Sequence, residues 1–137
     1  MITVEVIKEV LTRLFGNNNL NLLYALIILV SLDYITGVCA AIKKGSLSSS
    51  IGAKGIANKV AIFVLVALSN IVEEYFVSTE GTLEAITILF YCTNEAISII
   101  ENAHVVGIPI PARLINTLEK LKKSEDASSQ DEGKKTP

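Results

Sequence analysis

Few side chains in this sequence could do chemistry, and most of them stand where hydrocarbon would exclude them. Asp33 lies near the middle of a long apolar run, where an unpaired carboxylate is costly, so it must face a protein interior, a cavity or a partner, or carry a proton. Gly37 and Ala41 follow at helical spacing, with Thr36 and Ala40 beside them, giving that run a face of small residues that lets a neighbouring backbone approach closely. Asp33, Thr36, Gly37 and Ala41 are therefore candidates for helix association, the neighbour being either in the same chain or in another subunit. In the last apolar run Asn94, Ser98 and Asn102 fall at steps of four, with Glu95 and Glu101 beside them, so one face of that helix is polar. Lys59, at the entrance of the run between, is the natural counter-ion for Asp33, Glu95 or Glu101. Two readings follow. Either Lys59, Glu95 and Glu101 form an ionic network satisfied inside a small bundle, or Asn94, Ser98 and Asn102 line an aqueous lumen between subunits. Only an oligomer could do the latter, because three thin helices enclose no pore.

Other chemistry finds no support. His104 sits beside a proline-rich turn with no nucleophile paired to it, and no glycine-rich phosphate loop follows a strand, so an enzyme is not expected. Gly45, Gly52 and Gly55 are read as loop punctuation. Cys39 and Cys92 lie in apolar runs without CxxC or Cys/His spacing and are read as packing residues, with no metal and no cofactor. Net charge is only -2 and the basic residues form no continuous face interleaved with aromatics, which argues against nucleic acid as a partner.

The elements that must position these groups are all helical. With 137 residues, half of them hydrophobic, and a mean hydropathy of +0.50, the chain is too apolar for a soluble domain of its size. The expected fold is an all-α membrane protein of about three transmembrane helices, flanked by N-terminal and C-terminal amphipathic helices and ending in a disordered charged tail. Within segment 1–16, Ile7, Val10, Leu11 and Leu14 recur at helical spacing against Glu5, Lys8, Glu9, Thr12 and Arg13. Such a helix lies in the membrane interface or covers its own bundle. A transmembrane domain is expected over residues 20–102, with spans at about 20–42, 56–72 and 83–100. The first is long enough to cross a hydrocarbon core of about 30 Å, whereas the second and third are short or interrupted. Residues 43–55 read as a Gly/Ser/Lys loop and residues 73–81 as an acidic link. The first long apolar run begins at Leu20 and no small-residue cleavage site follows it, so a removable signal peptide is not expected.

Beyond Asn102, Gly107-Ile108-Pro109-Ile110-Pro111 cannot continue a helix and forms a rigid elbow. Pro111 suits the first turn of a further amphipathic helix over 111–123, with Leu114, Ile115, Leu118 and Leu121 as its apolar stripe. Residues 124–137 contain one apolar side chain, Ala127, and are expected to be disordered. Orientation follows from Lys and Arg in the short connections. Lys43, Lys44, Lys54 and Lys59 flank the first connection, the second carries none, and Arg113, Lys120, Lys122 and Lys123 follow the third run. The basic regions and the C-terminus are expected in the cytoplasm, the N-terminal helix outside.

Taken in order, Asp33-x-x-Thr36-Gly37 with Ala40-Ala41, Ser49-x-x-Gly52-x-x-Gly55-x-x-x-Lys59, Asn94-Glu95-x-x-Ser98-Ile99-x-Glu101-Asn102 and Gly107-x-Pro109-x-Pro111 resemble the phage holin family that includes clostridial toxin-secretion proteins. The resemblance covers residues 20–123. It implies a small protein of the bacterial cytoplasmic membrane that forms homo-oligomers among membrane lipid and opens lesions releasing a phage endolysin or a large toxin. An antiholin is a further partner in such a system. It implies no cofactor, and it assigns no role to the individual motif residues. The competing reading is an antiholin, or a small non-lytic channel or assembly subunit, which would share this hydropathy.

Overall fold

A computed structural model describes the backbone of residues 3–133 and the side chains of all of these except 129 and 131–133. Among the described residues five α-helices follow one another: α1 (Val4–Phe15), α2 (Leu20–Lys44), α3 (Ser49–Val72), α4 (Thr82–Val106) and α5 (Ala112–Gly133). A π-helical turn, Glu73–Val77, prolongs α3, and no strand occurs among the described residues.

Among the described residues three helices are long and apolar enough to cross a membrane: α2 with 25 residues, α3 with its π turn with 29, and α4 with 25. The second and third spans are thus longer than their apolar runs suggested. The expected loop over 43–55 shrinks to residues 45–48 because Ser48 caps α3, its hydroxyl accepting the Ile51 amide at 3.2 Å. Gly52 and Gly55 then lie within the helix and not in a loop, packed under the Tyr34 ring of α2. Inside the spans the short polar side chains bond their own helix. Ser31 donates to the Ile27 carbonyl at 2.8 Å and Thr36 to the Leu32 carbonyl at 2.9 Å, so neither presents an unmet donor to lipid.

The bundle is apolar outside and polar within, the reverse of a soluble domain. Its buried apolar core is small: Leu23, Leu26 and Val30 of α2, Val66 of α3 and Ile88 of α4, flanked by Phe15, Ile62, Phe63, Tyr91 and Cys92. Asp33, Ser69, Asn70, Glu73, Glu84, Thr93 and Glu95 are buried as well. Tyr24, Ile28, Ile35, Val60, Val64 and Leu68 are exposed, which suits a hydrocarbon surround and not water. Cys39 belongs to this outer surface and is exposed, contrary to the packing role expected of it, because its position on α2 turns away from the inward stripe; Cys92 is half-buried beside the core.

α2 and α4 pack along their length and α3 joins chiefly through α4, leaving α2 and α3 apart over most of their extent. α1 packs on α3 with its apolar residues Val4, Ile7, Val10 and Leu11 exposed. After the elbow at Gly107, α5 packs on α4. It runs to Gly133, so the tail expected to be disordered from residue 124 is helical as far as 133; residues 134–137 lie outside the described residues. Within the extension Glu125 accepts from the Thr93 hydroxyl of α4 and Ser128 donates to the Ser124 carbonyl.

Candidate functional site

Each span turns one stripe inward, and the stripes explain where the charged groups go. On α2 the stripe is Leu23, Leu26, Val30, Asp33 and Gly37; on α4 it is Glu84, Ile88, Tyr91, Glu95, Ser98 and Asn102. Steps of three and four residues keep each set on one side of its helix. Lys59 of α3 meets the other two stripes at one level. Its Nζ donates to Asp33 Oδ2 and, at 2.5 Å, to Glu95 Oε2, so one ammonium bridges carboxylates from the two neighbouring helices. The Asp33 and Glu95 side chains are 9% and 8% exposed, so both carboxylates are largely withdrawn from the surface, while Asp33 and Lys59 also line a cavity between α2 and α3.

Asn102 completes the cluster. Its amide donates to Asp33 Oδ1 at 3.0 Å and to Thr36 Oγ1 at 3.1 Å. Asp33 therefore has a donor on each oxygen. A buried pair is tolerable only when its remaining hydrogen-bonding capacity is met, because desolvation of each ion otherwise exceeds the mutual attraction. Beside the cluster, where α2 and α3 diverge, lies a cavity of about 350 Å³ lined by Tyr34, Gly37, Ala41, Asn58 and Ser98 among others.

Of the residues proposed from sequence, Asp33, Thr36, Lys59, Glu95 and Asn102 meet directly, and Gly37, Ala41 and Ser98 line the adjoining cavity. The small face of α2 looks onto Asn102 and this cavity, within the same chain. Glu101 does not join the ionic network: it is exposed, one position round α4 from Asn102. Asn94 is half-buried about 100° round the helix from Glu95 and does not join the Asp33–Lys59–Glu95 cluster. Within the protomer the inward polar face of α4 is Glu95, Ser98 and Asn102.

A second polar layer, at the opposite end of the bundle, escaped the sequence reading. Glu73, taken for part of an acidic link, is 4% exposed and accepts from the Thr79 hydroxyl, the Leu83 amide at 2.9 Å and the Glu84 amide at 3.3 Å. It caps the N-terminus of α4, where a carboxylate meets free amides and the positive end of the helix dipole. Asn70 donates to the Arg13 and Leu14 carbonyls at 3.3 and 3.0 Å and so holds the C-terminus of α1. Gly16, with φ +63°, allows that approach, for a Cβ there would stand 2.8 Å from Asn70 Oδ1. Asn19 donates to the Gly81 carbonyl at 2.8 Å and ties the α1–α2 connection to the α3–α4 connection. Glu84 is 1% exposed, with neither carboxylate oxygen hydrogen-bonded among the described residues. The inward phase of Asn70 and Glu73 with Lys59 and Val66 was the available signal.

Chemically the arrangement ties three spans together through charge and amide contacts while leaving their outer surfaces apolar. Among the described residues no group of His, Cys, Asp and Glu is placed to hold a metal ion.

Comparison with known proteins points one way. The family model described as the bacteriophage holin family matches residues 9–123. The chain is similar to an uncharacterised protein of Halalkalibacterium halodurans, 37% identical over 127 residues, covering 90% of this chain and 93% of that one. An uncharacterised protein of Listeria innocua is 39% identical over 122 residues, covering 89% and 83%. A protein of Bacillus phage phi105 named a probable holin is 31% identical over 105 residues, covering 77% of each chain. No solved structure matches.

Proposed function

The chain belongs to the bacteriophage holin family, and from that membership we propose that it assembles into homo-oligomers in the bacterial cytoplasmic membrane and opens lesions there. Through them an endolysin reaches the cell wall or a large toxin leaves the cell. The observation that carries this reading is the division of the protomer into a polar interior closed around Lys59 and an exterior of exposed apolar side chains on three spans. Such a protomer inserts stably yet encloses no channel, so permeability requires several copies.

By the positive-inside rule Lys43, Lys44 and Lys54 favour a cytoplasmic α2–α3 connection, together with the elbow before α5, and an outer α1 and α3–α4 connection. The probable-holin name borne by the phage relative agrees with a lytic role. Expression in a cell carrying a potential-sensitive dye tests the proposal. Growth arrest with loss of membrane potential, and crosslinked species larger than a monomer, are expected. Silent accumulation would favour an antiholin or a non-lytic assembly subunit instead.

A further inference from the structure

α5 does not trail away from the membrane domain; it folds back along a span. Thr93 Oγ1 of α4 donates to Glu125 Oε1 at 3.0 Å. Leu121, Ser124, Glu125 and Ser128 close a cavity of about 330 Å³ against Ile86, Leu89 and Phe90. These contacts set an antiparallel register in which the start of α5 adjoins the end of α4 and Ser128 reaches the first half of the span, so the far end of α5 lies toward the α3–α4 connection and not on the elbow side expected of the C-terminus from the Lys and Arg count. Thr93 stands near the middle of α4, so Glu125 lies at membrane depth.

The apolar stripe of α5, Leu114, Ile115, Leu118 and Leu121, ends before this point. Arg113, Glu119, Lys120, Lys122, Lys123 and Asp126 are all exposed. A helix with such a surface cannot face hydrocarbon beside α4, because charged groups at that depth need water or partners. The mid-span ions Asp33, Lys59 and Glu95 make no such demand, since they satisfy one another inside the protomer.

We propose that α5, docked along α4, faces water at membrane depth, so that the α4–α5 edge, and not the Asp33–Lys59–Glu95 stripe, is the side each protomer turns to the aqueous lesion. This rests on the lesion-forming reading above. It divides the surface of the protomer: α5 to the lumen, the apolar faces of α2 and α3 to lipid and neighbouring copies.

The test uses the full chain reconstituted in vesicles loaded with a fluorescent dye, with Cys39→Ser and Cys92→Ala as background. Thr93→Cys with Glu125→Cys places two thiols across the α4–α5 contact. The disulfide should form in leaking vesicles, and oxidised and reduced samples should release dye at rates within about two-fold of each other. In the oxidised protein, Lys120→Glu with Lys123→Glu should raise the preference of the leak for cations over anions at low salt, as expected for charges lining a water path. A disulfide that never forms in leaking vesicles overturns the proposal. So does one that stops release until a reductant is added, which would make α5 a cover that must leave. An unchanged ion preference also overturns it. Absence of release from the background protein itself would instead remove the lesion-forming reading, and this proposal with it.

Discussion

Lys59 of α3 and Glu95 of α4 meet at 2.5 Å in the interior of the bundle, with Asp33 of α2 on the other side of the same ammonium. One cation thus joins all three spans at one level, and its removal leaves two carboxylates facing each other without a counter-charge.

The first prediction follows directly. Breaking a buried pair costs about 3 to 5 kcal/mol because the partner charge is left uncompensated. Lys59→Glu and Glu95→Lys should each abolish or strongly reduce folded protein, read as the monodisperse fraction in mild detergent. The double reversal should recover much of it, since a lysine at 95 again has carboxylates at 59 and 33 within reach. Glu101→Lys should behave like the parent, because Glu101 is exposed and outside the cluster. Equal yields from all four variants would mean that the cluster does not hold the spans together.

A second prediction concerns the cap on α4. Glu73→Ala removes the acceptor for the Leu83 and Glu84 amides and should cost about 1 to 2 kcal/mol, by the measured range for lost N-terminal caps. The expected readout is a fall of several degrees in the thermal midpoint of helical circular dichroism. Glu74→Ala, on an exposed neighbour, is the control and should leave the midpoint unchanged. Equal midpoints for the two variants would remove the capping role.

The junction between α1 and the bundle gives a third. Gly16→Ala meets two obstacles, a left-handed φ of +63° and a Cβ 2.8 Å from Asn70 Oδ1, so Asn70 must move and its bonds to the Arg13 and Leu14 carbonyls lengthen. Asn70→Ala deletes those bonds outright, at about 1 to 3 kcal/mol for a buried group left unmet. Both variants should release α1, seen as faster proteolysis around residues 16–18 with the spans intact. Unchanged cleavage rates would show that Phe15 packing against Phe63 suffices to hold α1.

The fourth addresses orientation, motivated by the lysines around the first connection and their absence from the second. In a background lacking Cys39 and Cys92, Leu47→Cys should react with an impermeant thiol reagent only from the cytoplasmic side and Thr79→Cys only from outside. The opposite pattern would invert the protomer. Labelling of both sites from both faces, before any loss of membrane potential, would indicate dual insertion.

Much of this was legible from the residues. Lipid imposes constraints that act along one dimension: a span needs a minimum apolar length, and a charge within it needs a partner. Asp33, Lys59 and Glu95 could therefore be nominated as mutual partners, and three spans counted, without coordinates. The same local reasoning found the amphipathic α1 and the elbow at Gly107, where apolar periodicity and proline chemistry are written into neighbouring positions.

What needed the tertiary structure were the choices that depend on how the helices are rotated and in what register they meet. The sequence offered Lys59 three carboxylates; the rotation of α4 brings Glu95 inward and leaves Glu101 outside, and Asn102 reaches Asp33 only because α2 and α4 run side by side. Glu73 looked like one acid among several in a link, and its role as the cap of α4 arises from a turn that brings it back to amides ten and eleven residues on. The charged segment beyond residue 123 has too little apolar surface to predict order from its composition, and its helix is seen only in the structure, where Glu125 meets Thr93 from far away in the chain. Local composition reports what a segment can do alone, whereas these three outcomes involve contacts between segments.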